Sequence, residues 1–334
     1  MTTFEKLREL LVSDDPALLE TDLLPDGAYQ LETVRVSSLS RRVSDTLRAG
    51  FGDRRPEDFP LLVVGWGKCR VGSTALTNMF GIAGLRSYYQ PVKTIARHML
   101  VGLPGHAWTL PDDGEALFAK EMAGPYVHYE TLFDPVECLL RAGWPADRLH
   151  LLILDRDPKA SLSSWMNKWE GKIGRTRVLE NFVLSSLNYG RMREHARTEG
   201  VAHTHFPYEF SRMPERTVSA LFERLGLAHR YGPRILSDWG ESGDLNSSEA
   251  KVIYPVEPAP YIVPGLHGQG ERYRYQSRRP DNLTPAEISE AEDADVRAAY
   301  RTSVDAACDE LGLTEDVRRE LLAESVADHS PASL

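Results

Sequence analysis

The chain has 334 residues, of which 42% are hydrophobic and 26% charged, so it can bury a sizeable core in one large α/β domain or two small ones. Its 39 Lys and Arg residues against 49 Asp and Glu give a net charge of −10, and such a chain repels nucleic acid unless its basic residues gather on one face. Its three cysteines, with neither a CxxC pair nor metal-ligand spacing, exclude a disulfide framework or a structural zinc site and predict a reducing, cytoplasmic compartment.

Residues 1–60 precede the main domain, and the sequence predicts them as a helical extension. Phe4, Leu7 and Leu10 have helical spacing, and the segment ends in the breaker-rich stretch GDRRPEDFP. The N-terminus does not have the pattern of a signal peptide. The longest apolar runs, such as Leu151–Leu154, are of strand length and far too short to span a bilayer. We therefore expect no membrane partner.

From Leu61 onward, apolar runs of strand length alternate with helical periodicity. LLVVGWG predicts a buried parallel strand that runs into a glycine turn, and STALTNMFGIAG after it has helical spacing. Further strands are predicted at Tyr126–Tyr129, at Leu149–Asp155 and in VAHTHFPYE, and helices from Pro158, over 177–198 and in MPERTVSALFERLGL. These units in series predict an α/β protein with a parallel sheet, helices on both faces and a P-loop-like nucleotide-binding architecture.

Residues 61–334 are predicted to form the single domain that contains this sheet. After Asp238 the sequence becomes loop-rich, which predicts a lid-like loop around 255–280, and terminal helices begin from Pro285. Ligands of parallel sheets bind beyond the carboxyl ends of the strands, so a site is expected in the loops that leave those ends.

The loop after the first strand has the pattern of an anion site. In Gly67–Thr74 (GKCRVGST) the two glycines have the spacing of a Walker A loop, but Ser73 stands where that loop has its lysine. Basic residues come earlier instead, as Lys68 and Arg70, which favours a shorter anion at the turn over a magnesium-bound triphosphate. A glycine turn with solvated charges is the alternative interpretation.

A second anion site is predicted after the strand Leu149–Asp155. Arg156 follows this strand directly, and Ser164 would lie on the second turn of the next helix. Arginine offers bidentate, charge-assisted donors and serine a neutral hydroxyl, a combination that suits a phosphate. The alternative is an ordinary salt bridge of Arg156 with Asp155 or Asp157. Two anion sites at successive strand ends suit a ligand with two separated phosphate groups.

Three short motifs follow one another along residues 61–230. They are RVGSTAL from Arg70, RDP from Arg156 with Ser164 eight residues on, and YE at Tyr208 before a helix that ends in Leu-Gly. In this order they resemble the motifs of the sulfotransferase superfamily that uses 3′-phosphoadenosine 5′-phosphosulfate (PAPS). The resemblance implies transfer of a sulfuryl group from PAPS to a hydroxyl or amine of a small-molecule acceptor, with no metal.

The resemblance also implies which residues hold the phosphosulfate end of PAPS. The loop residues with this role are Arg70, Val71, Gly72, Ser73 and Thr74. Arg70 would neutralise the charge that grows on the leaving oxygen, and Lys68 could share this catalytic role.

The other end of the nucleotide is implied to lie beyond the later strands. Arg156 and Ser164 would hold the 3′-phosphate, and Tyr208 would lie near the adenosine. Arg272 and Arg274 are candidates for a basic loop that closes over the nucleotide.

Sulfuryl transfer also requires a general base that takes a proton from the acceptor. The stretch YVHYETL offers His128 and Glu130, which alternation would place on one face of the predicted strand. His128 is favoured because the unperturbed pKa of histidine is near neutral. His98, His106 and Glu130 are the alternatives.

Two other function classes stay open. A P-loop kinase or NTPase would need a lysine directly after Gly72, where the chain has serine. A nucleotide-binding protein without catalysis would keep Arg156 and Ser164 but have no working base. A homodimer is compatible with the sequence.

Overall fold

The computed structural model describes residues 11, 17–18, 34–111, 116–237, 239, 252–261, 272–273, 275–276 and 280–320. Its centre is a sheet of six strands in which every neighbouring pair is parallel. The strands are β1 (Leu61–Lys68), β2 (Arg86–Tyr89), β3 (Ala116–Ala123), β4 (Leu149–Asp155), β5 (Ala202–Pro207) and β6 (Val252–Ile253). They are arranged in the order β5-β4-β1-β3-β2-β6, so β1 lies between β4 and β3.

Helices connect these strands. The α-helices are α1 (Val36–Phe51), α2 (Ser73–Ile82), α3 (Pro91–Leu100), α4 (His128–Leu132), α5 (Pro135–Ala142), α6 (Pro158–Ile173), α7 (Arg175–Thr198), α8 (Pro214–Arg224), α9 (Arg234–Ser237), α10 (Pro285–Ala291) and α11 (Ala294–Glu310). Short 3₁₀ helices are formed by Pro56–Asp58, Ala146–Arg148, Tyr208–Arg212, Ala228–Arg230 and Ala259–Tyr261. Ala17–Leu18 and Val34–Arg35 form a separate antiparallel pair. In the described part of the chain, no helix has the length and apolar character that a membrane crossing requires.

Alternate residues of the central strands face two separate hydrophobic cores. On β1, Leu62 and Val64 belong to the first core and Val63 to the second, and on β4, Leu151 and Leu152 divide in the same way. The first core is covered by α1, α3, α5 and α7, and the second by α2, α8 and α11. Strands buried on both faces have continuous apolar sequences, which is why they can be predicted. The fold class, an α/β protein with helices on both faces of a parallel sheet, is confirmed.

Helix α1 packs against the sheet of the main domain and forms part of the first core. Its residues Leu39, Val43 and Leu47 are buried at helical spacing and belong to the same cluster as the sheet. Part of the predicted N-terminal extension is therefore integral to the domain. The helix predicted around Phe4 and Leu7 lies outside the described residues.

The strand predicted at Tyr126–Tyr129 is wrong, because the strand of this region is β3. Gly124 turns the chain after β3 with a φ of +69°, and α4 begins at His128. β3 cannot be recognised from the sequence, because Lys120 and Glu121 interrupt its apolar run. All eight of its residues are nevertheless buried. Charged residues inside a buried strand mimic the pattern of a surface segment.

The strand order brings the carboxyl ends of β1, β3 and β4 together. From β1 the chain crosses to β2, which lies beyond β3, whereas β4 lies on the opposite side of β1. In open α/β sheets the ligand crevice lies at such a switch in direction.

The predicted strand Leu149–Asp155 is confirmed with the same bounds, and α6 begins at Pro158 as predicted. Both predicted anion loops therefore leave from this edge.

Candidate functional site

The loop between β1 and α2 has a backbone shaped for an anion. Arg70 and Gly72 have φ values of +69° and +81°, a region that residues other than glycine seldom adopt. A Cβ on Gly72 would lie 2.6 Å from Cδ2 of Tyr208, so the tyrosine ring packs directly on the loop. Among the described residues no side chain caps α2, which begins at Ser73, so its first N–H groups can donate to a ligand. Val71 is buried in the second core and anchors the loop.

The two predicted anion motifs meet at this loop. Nη1 of Arg156 donates to the carbonyl of Arg70 over 3.1 Å, and the Arg156 guanidinium lies 4.5 Å from the ring centre of Tyr208. Nε of Arg70 donates to Oγ of Ser164 over 2.9 Å. The structure thus joins residues from three separate motifs into one cluster. Ser164 holds the Arg70 side chain in place but is not among the described residues that line the adjacent cavity.

The alternative of an ordinary salt bridge at Arg156 is wrong. Asp155 pairs with Lys68, and Asp157 caps α6 and pairs with Arg297 over 3.4 Å. Within the residues that the structure describes, no carboxylate pairs with the Arg156 guanidinium, and its buried Nε has no acceptor. The charge of the Arg156 guanidinium is therefore not neutralised by any described carboxylate and can attract an anionic ligand.

The cluster lines a cavity of about 290 Å³. Its described walls carry five cationic side chains and no carboxylate, although the whole chain has a net charge of −10. The five are Arg70, Arg97, Lys120, Arg156 and Arg272. Arg97 is paired with Glu130 (2.7 Å) and Glu257 (2.9 Å), whereas the other four have no carboxylate partner among the described residues. We call this space the cationic cavity, and its charge favours an anionic ligand.

Lys120 is a residue of the cationic cavity that none of the motifs includes. It lies near the end of β3, it is buried, and its Nζ donates to Oγ1 of Thr74 over 3.2 Å. Nζ also lies 3.7 Å from the ring centre of Tyr89. Burial, together with repulsion from Lys93 and Arg70, lowers the pKa of Lys120 well below its ordinary value. The sequence does not identify it, because Lys120 interrupts the apolar run by which β3 could be predicted.

The cavity wall also contains aromatic and amide groups next to Tyr208. The hydroxyl of Tyr208 donates to the carbonyl of Gln276 (3.1 Å) and accepts from its N–H (3.0 Å). Trp239 and Tyr273 line the same cavity, with their ring centres 6.1 Å apart. Oδ1 of Asn78 is buried in this wall and has no donor among the described residues. The wall therefore combines flat apolar surface with a free hydrogen-bond acceptor.

Part of the predicted lid segment lies against the cationic cavity. Tyr261 and the exposed side chain of Arg272 line it. Arg274 lies outside the described residues. The described part of 255–280 therefore contributes one cation, Arg272, and two aromatic rings, Tyr261 and Tyr273, to the cavity wall.

The structure does not bring Lys68 to the cationic cavity. Alternation along β1 turns Lys68 to the same face as Leu62, into the first core. There it is buried against the ring of Tyr189, 5.0 Å from its centre, and paired with Asp155. The cavity instead receives a lysine from the neighbouring strand, Lys120, which lies on the opposite face of the sheet.

None of the predicted general bases is among the described residues that line the cationic cavity. His128 lies at the start of α4 rather than on a strand, and burial lowers its pKa. Glu130 is buried and accepts from Arg97 (2.7 Å) and from a backbone N–H (2.9 Å), so its carboxylate is already bound. His98 and His106 line a different cavity, next to α3. Lys120 is the titratable amine that the structure places here instead.

No family model matches the chain, and no curated protein or solved structure matches it either. The resemblance to sulfotransferases therefore rests on the three sequence motifs alone. The function is argued below from the geometry and charge of the cationic cavity.

Proposed function

We propose that this protein transfers a sulfuryl group from PAPS to a hydroxyl or amine of a small-molecule acceptor. The observation that carries the proposal is the group of cations without carboxylate partners among the described residues: Arg70, Lys120, Arg156 and Arg272. Cations gathered in one cavity repel each other, and a polyanionic ligand removes this repulsion. PAPS carries its phosphosulfate and its 3′-phosphate at separate positions, which suits two loops that each offer anion donors.

The described residues suit both ends of PAPS. The uncapped start of α2, with Gly72 and Thr74, would bind the phosphosulfate. The Arg156 guanidinium, which has no carboxylate partner among the described residues, would bind the 3′-phosphate. Tyr208 and Asn78, which line the cavity, would contact the adenosine, whose ring can stack on the tyrosine.

The chemistry requires a leaving group to be neutralised and an acceptor to lose a proton. The acceptor oxygen or nitrogen attacks sulfur, the bond from sulfur to the bridging phosphate oxygen breaks, and adenosine 3′,5′-bisphosphate leaves. Arg70 and the start of α2 would stabilise the charge on that bridging oxygen. Lys120 would take the acceptor proton, because burial lowers its pKa and so favours the neutral amine that a base requires. The ammonium formed in this way offsets charge on the departing bisphosphate.

Aromatic walls support a flat acceptor. Tyr89, in contact with Lys120, lines the cationic cavity together with Tyr126 and Trp169. A flat acceptor next to these rings would present its hydroxyl or amine to Lys120.

The kinase alternative has weaker support from the described residues. Ser73 stands where a P-loop kinase has its phosphate-binding lysine. Asp155, at the end of β4, is a carboxylate that could hold magnesium in such an enzyme, but Lys68 already neutralises it. Both differences favour a nucleotide with shorter anionic groups.

The test is a transfer assay with radiolabelled PAPS and a panel of phenols, alcohols, amines and sugars. We expect label on at least one acceptor, a loss of transfer in Lys120→Met, and retained transfer in the control Lys159→Met, whose lysine pairs with Glu292 over 3.2 Å. Binding of adenosine 3′,5′-bisphosphate without transfer to any acceptor would favour a non-catalytic nucleotide-binding protein. Transfer of phosphate from ATP would favour a kinase.

A further inference from the structure

Gln90 follows β2 at the carboxyl edge of the sheet and lines the cationic cavity. Its φ of +56° and ψ of +47° lie in the left-handed region, which side chains other than glycine seldom adopt. In the described part of the chain, the other non-glycine residue with a positive φ is Arg70, which lines the same cavity. Rare backbone conformations cluster at functional sites, so the conformation of Gln90 indicates a role in this cavity.

Hydrogen bonds on both sides fix the backbone of Gln90. Its N–H donates to the carbonyl of Lys120 over 2.8 Å, and its carbonyl accepts from the N–H of Thr94 over 2.9 Å. The first of these bonds extends the pairing of β2 with β3 beyond Tyr89, whose partner in the register is Lys120. Gln90 is therefore held directly beside the residue that we propose as the base.

The side chain of Gln90 does not cap α3, although the residue stands at the N-cap position of this helix. An N-cap side chain usually accepts from the first N–H groups of its helix. Here the buried carboxylate of Glu121, on β3, accepts from the N–H groups of Val92 (2.7 Å) and Lys93 (3.1 Å) instead. Because β3 caps the helix, the amide of Gln90 is available to the cavity.

Lys93 determines which end of the Gln90 amide is free. An ammonium group only donates, and Nζ of Lys93 donates to Oε1 of Gln90 over 3.4 Å. The other two acceptors of Nζ are the carbonyls of Met122 (2.7 Å) and Gly124. The amide nitrogen, Nε2, is thus the end without an acceptor among the described residues, and unlike the enclosed Nε of Arg156 it keeps accessible surface. Gln90 therefore offers an N–H donor to a molecule in the cavity.

The charge of the cationic cavity disfavours a protonated amine as the acceptor. Its described walls carry no carboxylate, and four of its cations have no carboxylate partner among the described residues: Arg70, Lys120, Arg156 and Arg272. An alkylammonium group would be repelled by these cations and would also have to lose a proton before it could attack sulfur. A neutral hydroxyl group is not repelled in this way.

A hydroxyl group also matches the hydrogen-bonding groups of Gln90 and Lys120. During transfer its proton moves to Nζ of Lys120, one lone pair of its oxygen forms the bond to sulfur, and the bond from sulfur to the bridging phosphate oxygen breaks. A second lone pair remains on the oxygen and can accept from Nε2 of Gln90. The nitrogen of a neutral amine has one lone pair, which the bond to sulfur uses, so it cannot also accept from Gln90.

We propose that Gln90 selects a hydroxyl acceptor, because its Nε2 donates to the attacking oxygen while Lys120 takes the proton. This inference rests on the proposed transfer reaction and narrows its acceptor from a hydroxyl or amine to a hydroxyl. Gln90 is then a catalytic residue, since it touches the reacting oxygen.

The first test compares 2-naphthol with 2-naphthylamine, which has the same rings and an amino group that is uncharged at neutral pH. The variants are Gln90→Gly, which suits the left-handed backbone, and Gln90→Met, which keeps the length of the side chain; neither has the N–H. With labelled PAPS, kcat/KM for 2-naphthol should fall about 10- to 30-fold in both variants, and that for 2-naphthylamine should change by less than about threefold. Equal losses for the two acceptors would overturn the selection.

A second measurement separates failure of this inference from failure of the proposed reaction. Calorimetric binding of 2-naphthol to the protein saturated with adenosine 3′,5′-bisphosphate requires no transfer, and its Kd should rise about tenfold in both variants. The Kd for the bisphosphate should stay within about twofold, and Gln90→Gly should melt no lower than the wild type, because glycine adopts the left-handed conformation freely.

Two results would overturn the role of Gln90. One is the absence of naphthol binding, or an equal naphthol Kd in the wild type and both variants. The other is a lower melting temperature together with weaker binding of the bisphosphate, which would assign Gln90 to the fold alone. The expected binding changes without transfer from PAPS to any acceptor would instead overturn the proposed reaction and leave Gln90 as a residue that binds a hydroxyl.

Discussion

Two groups of charges at the carboxyl edge of the sheet are built in opposite ways. In the paired group, Lys68 binds Asp155, and Arg97 binds Glu130 over 2.7 Å. In the unpaired group, represented by Lys120 and Arg156, no carboxylate partner is found among the described residues. Both groups include buried side chains. The comparison shows that pairing, rather than burial, separates the charges that are bound within the fold from those that we propose bind the nucleotide.

The largest expected effect comes from breaking the paired group. Asp155→Asn keeps an acceptor for the backbone N–H of Arg156 but leaves the buried Lys68 ammonium without a counter-charge. The free energy of unfolding should fall by about 3–5 kcal/mol. The double variant Lys68→Met/Asp155→Asn should recover all but about 1 kcal/mol, as measured by urea denaturation. A double variant as unstable as the single one would show that the ion pair is not the stabilising element.

Changing the unpaired group should lower the rate of transfer without lowering the stability of the fold. Lys120→Met removes a buried amine that has no counter-charge, so the free energy of unfolding should stay constant or rise. The kcat of sulfuryl transfer should fall by about 100- to 1,000-fold, because the acceptor proton loses its destination. In the wild type kcat should rise with pH until Lys120 is neutral, and this rise should be absent from the residual activity of the variant. Transfer that survives with an unchanged pH profile would rule out Lys120 as the base.

The next effect concerns nucleotide binding. Arg156→Ala removes the free Nε and the contact with the Arg70 loop, so the Kd for adenosine 3′,5′-bisphosphate should rise about 100-fold. The matched control is Lys159→Ala, a cation on α6 whose partner is Glu292. Calorimetric titration of both variants separates the loss of this site from a general loss of positive charge. Equal Kd values for the two variants would mean that Arg156 does not touch the nucleotide.

The smallest effect is expected at His128, the base favoured from the sequence. Because His128 does not line the cationic cavity, His128→Ala should leave kcat within about twofold of the wild type. Steady-state rates at saturating PAPS measure this. A loss of tenfold or more would return His128 to the mechanism and weaken the role of Lys120.

The sequence predicts the positions of the two anion-motif loops in the fold well, because the signals for these positions are local. Gly72 and the start of α2 are adjacent in the chain, and Leu149–Asp155 is an uninterrupted apolar strand that leads directly to Arg156. Both strands feed the same edge of a parallel sheet, so the meeting of Arg156 with the Arg70 loop follows from the fold class.

The position of Lys120 is harder to predict, because it depends on where β3 begins and ends. Lys120 and Glu121 make β3 look like a surface segment, so the sequence predicts a strand at Tyr126–Tyr129 instead. This shift places His128 on a strand, whereas the structure places it at the start of α4. Lys68 lies outside the cavity for a related reason, since a single step along a strand reverses the face to which a side chain points.

The most direct test of the account is a calorimetric titration of the wild type with adenosine 3′,5′-bisphosphate and, separately, with ATP and magnesium. The cations of the cavity that have no carboxylate partner in the described part of the chain predict a Kd for the bisphosphate at least about 100-fold lower than that for ATP, together with an affinity that falls as salt is added. Equal affinities, or tighter binding of ATP, would contradict the claim that this cavity is built for PAPS.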